Sequence, residues 1–412
     1  MESRWIIGTG AACLAAGYFF GQSVGPAPVE FPDPREARSA QEMEAAVNAA
    51  LLEPRAFVRA GTLSRLFEGL TLENVDGASS AITTRAGRWD PIDLQLFLAA
   101  WVQLDPESAV RNVEAWPIKS RRAIGLNVAI REWAASGHGI EAANYTQAIA
   151  DPDTRSKVQG PLVRGWALSG DIQGALNLAY RLYHGDEARD VIDGFIRGIL
   201  QVRGAEAVLA VVSQVAEQGD GPFEQRIIRV GLNLAGREDP AATAKTYSEI
   251  TAGAAPPEWL KGHLDLLAGL WRNEDERAAL EWVMVEAPSE ERSAALVETI
   301  GTWANRDFDR AWAWFDEQRG PFDINDEAVL DATDSDLLSG LVRRLARTAP
   351  ADAAQWVVRI RPGKTRDVML QRIVRFWTPQ DKPAVAAWLD TLKIDPAKRE
   401  SLTRTMESIE GP

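Results

Sequence analysis

Two residue types that build most metal and thiol chemistry are nearly missing from this 412-residue chain. Cys13 is the lone cysteine, which excludes an internal disulfide and a thiolate zinc site. Histidine occurs only at His138, His184 and His263. These lie far apart and without metal-ligand spacing, so no metal, no cofactor and no histidine-based relay is expected. Positive charge is also short, with 45 Lys and Arg against 59 Asp and Glu for a net charge of −14. Such a chain is a poor phosphate binder overall, and no nucleic-acid partner is expected. No sustained apolar–polar alternation marks a strand. P-loop, nucleophile-elbow and zinc-protease motifs are absent too, so a catalytic role is not expected.

One long uncharged run is present. Residues 5–21, from Trp5 to Gly21, carry no charge and as a helix would span about 26 Å, at the short end of what crosses a bilayer. Arg4 and the terminal amine precede the run, which favours a cytoplasmic N-terminus. The expectation is an uncleaved anchor in a bacterial inner membrane, with the bulk of the chain periplasmic. The alternative is a signal peptide cut near Gly21-Gln22-Ser23, releasing the body into the periplasm. A lipoprotein reading through Cys13 fails because Gly10 stands where such a site has a bulky residue and the apolar stretch before Cys13 is too short. Gly8-Thr9-Gly10 touches a dinucleotide fingerprint, but proline follows where a second strand should come. Pro26, Pro28, Pro32 and Pro34 make residues 22–45 read as an extended linker.

The rest of the chain is periodic. An aromatic or apolar residue is followed four places later by a turn residue and eight or nine places later by a small or branched one. Trp101 leads to Asp105-Pro106 and Ala109, and Trp166 leads to Gly170-Asp171 and Ala175. Trp271 leads to Asp275, Ala279 and Trp282; Trp303 to Asp307, Ala311 and Trp314; Trp377 to Asp381, Val385 and Trp388. Fainter copies start at Phe67, Trp133, Leu200, Ala235 and Leu345. Copies recur about every 32–36 residues, the range of helix–turn–helix repeats. The Trp closes one helix, the Asp caps the next, and the small residue admits close helix contact. The second aromatic is expected to fill the groove between units. This predicts an all-α fold, an α-solenoid over 46–410 of about ten helix–turn–helix repeats, with acidic residues 316–336 inserted and a transmembrane helix ahead of it.

The segment Trp166-Ala-Leu-Ser-Gly170-Asp171-Ile-Gln-Gly-Ala175 resembles the turn of a tetratricopeptide repeat, although Leu162-Val163 stands where that family has Leu-Gly. The copies at Trp271, Trp303 and Trp377 are closer to a looser class of bacterial Trp-and-Asp helical repeats. The resemblance implies a right-handed solenoid whose concave face binds peptides or partner proteins.

The 15 Trp sit mostly at fixed repeat positions and are expected in the core. The insertion carries Asp316, Glu317, Asp323, Asp326, Glu327, Asp331, Asp334 and Asp336. Spacing from Asp323 approaches a calcium loop, but Ala328 replaces the required Gly and Asp334 the terminal Glu, so a solvated acidic loop is expected. Residues 340–375 then reverse sign, with nine bases against Asp352 and Asp367. Within that stretch Arg343, Arg344, Arg347, Arg359, Arg361 and Arg366 are the candidate partner-binding residues, accompanied by Lys364, Arg372 and Arg375; lipid head groups are a second possible target.

These readings converge on a membrane-tethered scaffold or assembly factor of the bacterial envelope that binds other envelope proteins. The alternative is an α-helical envelope enzyme or accessory acting on polysaccharide or peptidoglycan.

Overall fold

A computed structural model describes residues 38–84, 90–184, 189–252, 254–319 and 330–409. The expected anchor at 5–21, the proline-rich residues to 37 and residues 320–329 of the insertion lie outside the described residues. Among the described residues every regular element is a helix. The all-α expectation therefore holds, and no helix among these residues is long and apolar enough to cross a membrane.

The chain divides into two units, Met1–Trp116 and Pro117–Pro412. The first holds α1 (Ala40–Leu51), α2 (Ala56–Glu68), α3 (Val75–Thr84), α4 (Pro91–Leu104) and α5 (Pro106–Glu114). Helix α1 starts inside the stretch expected as linker. Ser39 and Glu42 cap each other's backbone N–H groups, at 3.3 and 2.8 Å, which satisfies two free donors at the helix start. The Ser-x-x-Glu signature was there to be read, and residues 40–45, expected as linker, are helical. Within this unit α1 packs on α2 and α3, α2 on α4, and α4 on α5. Arg59 ties α2 to the start of α4 by ion pairs to Asp90 at 2.5 Å and Asp93 at 2.9 Å.

The second unit holds α6 (Lys119–Ala135), α7 (Gly139–Ala148), α8 (Pro152–Leu168), α9 (Ile172–Leu182), α10 (Arg189–Gln218), α11 (Pro222–Ala235), α12 (Pro240–Thr251), α13 (His263–Trp271), α14 (Glu276–Val285), α15 (Glu290–Arg306) and α16 (Phe308–Arg319). It continues with α17 (Ala332–Thr348), α18 (Pro350–Val357), α19 (Lys364–Trp377), α20 (Lys382–Thr391) and α21 (Pro396–Glu407). One set of helices packs side by side, α6 on α8, α8 on α10, α10 on α11, and onward through α13, α15, α17, α19 and α21. The intervening helices α7, α9, α12, α14, α16, α18 and α20 pack against them. Glycine seams bring the first set together. A methyl group on Gly194 would lie 2.4 Å from the Gly160 carbonyl oxygen, and one on Gly340 would lie 2.6 Å from that of Val297.

The repeat turns follow from local chemistry. Asp105, Asp275, Asp307 and Asp381 share one extended backbone conformation, with φ between −146° and −156°. Each donates its N–H to the carbonyl of the Trp four residues earlier, at 2.8–3.0 Å. Each carboxylate accepts an N–H three residues on, at 3.0–3.1 Å. At Asp105 and Asp307 one residue thus ends one helix and caps the next, whereas three turn residues precede the cap at Asp275 and Asp381. The Gly170-Asp171 turn solves the same problem differently. Gly170 takes φ +94°, a left-handed conformation that costs glycine little, and Asp171 caps Gly174 at 2.9 Å. Gly204, at φ +74°, breaks α10 into two helical halves.

Ala109, Ala175, Ala279, Ala311 and Ala353 are fully buried, as the close-contact role requires. Every described Trp is buried or half-buried. The second aromatic packs its ring on the first, eleven residues earlier. Ring centroids are 6.0 Å apart for Trp271–Trp282 and 5.8 Å for both Trp303–Trp314 and Trp377–Trp388. Trp282 also meets Tyr247 on α12 at 5.9 Å. The i+11 aromatic therefore clips two consecutive helices together.

Candidate functional site

The basic stretch does not form one surface, because helical phase and burial distribute it. Arg343 and Arg347 stand one turn apart on α17. Arg372 and Arg375 lie on the neighbouring α19, near enough that their charges act on one another. Burial first, and then the charges of Arg343, Arg347 and Arg375, push the pKa of the Arg372 guanidinium down. The rim of this cluster comes from α15. Glu298 pairs with Arg343 at 2.6 Å, and the Asn305 side-chain oxygen accepts from Arg347 at 2.7 Å. Arg343 lies flat over the α15 backbone, since a methyl group on Gly301 would meet its guanidinium at 2.3 Å. Glutamate balances one of the four charges, and Arg372 and Arg375 complete the cluster.

The other candidates go elsewhere. Arg344 is half-buried and a third of a turn from Arg343 on α17. Arg359 is 5% exposed with its guanidinium 5.4 Å from the Trp356 ring centroid. Arg361 is exposed in the α18–α19 connection, where its backbone N–H donates to Ser335 at 3.1 Å. Arg366 is half-buried beside Asp367, and burial lowers its pKa against the pull of that carboxylate. Only Arg343 and Arg347 of the six candidates therefore share a cluster. The signal for their companions was the helical spacing of 343 with 347 and of 372 with 375.

The flanks of the acidic insertion are parts of helices. Asp316 and Glu317 belong to α16, and Glu317 lies 3.7 Å from Arg277. Asp331 caps α17 by accepting the Asp334 N–H at 2.8 Å. Asp336 is pushed up in pKa by burial despite hydrogen bonding to Ser293 and the nearby charges of Arg292 and Arg361. Among the described residues no group of acidic, histidine or cysteine side chains is arranged to hold a metal ion. His263 is buried with Nδ1 3.0 Å from the Leu260 carbonyl oxygen, while His138 sits in a turn with Nδ1 3.1 Å from Ser136 Oγ.

A second cationic feature escaped the sequence reading. Arg131 on α6, Arg164 on α8 and Arg197 on α10 are each 33 residues apart and face a shared cleft of about 400 Å³. Arg131 pairs with Glu132 at 2.6 Å, and Arg197 approaches Asp193 only to 4.0 Å. The middle residue is the least compensated. Arg164 Nη2 donates to neutral Gln201 at 2.8 Å, and its Nε is buried without a hydrogen-bond partner. Burial, then the like charges of Arg131 and Arg197, lower its pKa against the opposing pull of Glu132. The 33-residue recurrence was visible in the chain, but the aromatic phase that marks the repeats gives no weight to a solvent-side arginine. No protein-family model and no curated protein sequence matches the chain.

Proposed function

We propose that this chain is a membrane-tethered helical-repeat scaffold of the bacterial envelope that docks an acidic segment of a partner protein. The observation that carries the reading is the convergence of Arg343, Arg347, Arg372 and Arg375 from two neighbouring helices, with one carboxylate, Glu298, paired among them. Four arginines held this close repel one another, and a partner carboxylate relieves that repulsion by charge-assisted, bidentate hydrogen bonds. A single exposed pair contributes only about 0–1 kcal/mol, so several must act together. The side-by-side packing of α6 to α21 and the repeated Trp–Asp turns support a right-handed, tetratricopeptide-like solenoid as the frame. Tethering rests on the uncharged run at 5–21, followed by the proline-rich spacer.

The test is charge reversal in intact cells. Arg347, Arg372 and Arg375 are changed together to Glu, and Arg343 is left to pair with Glu298. Partners crosslinked to the wild-type chain should be lost from the triple variant while its thermal midpoint stays unchanged. Arg366→Glu, outside the cluster, should retain them. If the triple variant captures the same partners at low salt as well as the wild type does, the cluster is a solvated face and the reading fails.

A further inference from the structure

We propose that the turn between α1 and α2 seats in the lipid–water interface of the membrane that residues 5–21 enter, and so holds the first unit against the bilayer at a second point. The inference rests on the tether proposed above and uses neither the α17–α19 cluster nor the α6–α10 cleft.

The tip is made of side chains that the fold leaves outside. Leu52, just past α1, is 76% exposed, and Phe57, in the first turn of α2, is 96% exposed. Pro54, Arg55 and Ala56 between them are exposed as well. Ile92, in the first turn of α4, is 55% exposed. Arg59 joins this turn to the start of α4, since its guanidinium donates to the Glu53 carbonyl oxygen at 3.0 Å and pairs with Asp90 and Asp93. A single exposed apolar residue on a surface is ordinary. Here a nearly naked Phe, a Leu and an Ile gather at one end of a helical unit, where folding does nothing to cover them.

Shape, charge and reach select lipid as the occupant. A specific protein interface takes about 800 Å² from each partner, more than three apolar side chains on a turn supply. Fluid lipid needs no matching surface, and apolar side chains sunk at the headgroup boundary hold a peripheral segment by their area. The chain as a whole carries −14, which an anionic headgroup layer repels. At the tip, however, Glu53 pairs with Arg55 at 2.8 Å, and Asp90 and Asp93 share Arg59, so each acid there already has a cation. Hydrogen bonds from Arg55 hold the Glu53 carboxyl near pKa 2, which keeps that pair ionised and closed. Arg55 can keep its head in water while its stem lies along the apolar side chains. The Asn74 side chain donates to the Arg38 and Gly69 carbonyls at 3.3 and 3.1 Å. The chain therefore enters this unit at the C-terminal end of α2, about 20 Å along the helix from Phe57. Residues 22–37 reach up to about 50 Å at the polyproline-II rise, enough to bring the far end of α2 back to the bilayer.

Fluorescence quenching on the full chain in phosphatidylcholine vesicles tests this. Cys13→Ser removes the lone cysteine, and Ala56→Cys or Glu68→Cys, exposed positions at opposite ends of α2, then carries a polarity-sensitive dye. Both labelled chains should float with the vesicles. Nitroxide-bearing lipids should quench the dye at 56 at least about threefold more than the dye at 68, and aqueous iodide should do the reverse. Adding Leu52→Asp and Phe57→Asp should bring the two dyes level, with flotation and the thermal midpoint unchanged. High salt should leave the difference in place, because apolar burial drives it. A chain that fails to float overturns the tether and the tip together. A floating chain whose dye at 56 is quenched by iodide and not by lipid overturns the tip alone. Shielding of that dye from both quenchers shows a second copy or another part of the chain on the tip, and overturns lipid as its occupant. Loss of lipid quenching in high salt shows attachment by charge and overturns the apolar seat.

Discussion

Trp303→Ala puts the aromatic clip to a quantitative test. Trp303 is 6% exposed at the end of α15, with its ring 5.8 Å from that of Trp314 on α16 at an interplanar angle of 49°. Truncating a buried Trp removes its transfer free energy and leaves a cavity the neighbours fill only in part, together about 3–5 kcal/mol. Of this, the ring pair beyond simple burial accounts for about 0.5–1.5 kcal/mol. A double-mutant cycle with Trp314→Ala isolates that share, because the two rings are in direct contact. Each helix packs on its neighbours, so the loss should broaden or lower the whole melting transition of the unit. At about 2–4 °C per kcal/mol the midpoint should drop by roughly 6–20 °C. Far-UV circular dichroism on heating reads this without relying on the Trp signal being removed. Trp271→Ala, at a half-buried position with the same pair geometry, should cost less. An unchanged midpoint for Trp303→Ala, or a coupling free energy of zero with Trp314, would refute the clip.

Three further outcomes are expected. Asp307→Ala should cost about 0.5–2 kcal/mol by freeing the Arg310 N–H, and Asp307→Asn should restore most of it; equal loss in both variants would show that charge matters here and capping does not. Burial pushes the pKa of His263 below the ordinary histidine value of 6.5. The unfolded chain therefore binds its proton at a higher pH than the native chain, and stability should fall as pH drops through 6.5 toward the depressed native value. His263→Gln should flatten that slope in urea titrations, and an unchanged slope would place the proton uptake elsewhere. A reporter active only after export, fused behind residue 40, should be active in cells; an inactive fusion overturns the topology drawn from residues 5–21.

The turns and the Trp positions were legible in the sequence because their chemistry is short-range. An Asp that caps three residues ahead and bonds to a carbonyl four behind leaves a fixed spacing in the chain, and Asp105, Asp275, Asp307 and Asp381 all show it. The glycine seams were not legible. They depend on which helix faces which, a property of residues more than thirty positions apart. The basic stretch shows the same limit from the other side. Its count of charges was correct, yet Arg359 is covered by Trp356. Arg372 instead joins Arg343 and Arg347 from the next helix, because burial is decided by packing partners and not by local composition.

The single-residue hinges at Asp105, Asp307 and Ala349 each close one helix and open the next, and this restricts where the chain can tolerate a change in length. One residue added between Trp303 and Phe308 would turn every later side chain of the pair by about 100° and separate the Asp307 N–H from its carbonyl. The longer connections, such as the one from α12 to α13, have no residue shared between two helices. Each doubling of a connecting loop costs only about 0.6 kcal/mol. Epitope tags, protease sites and whole reporter domains should therefore be accepted there and rejected at the hinges, so the molecule can be labelled from within while its helical packing is kept.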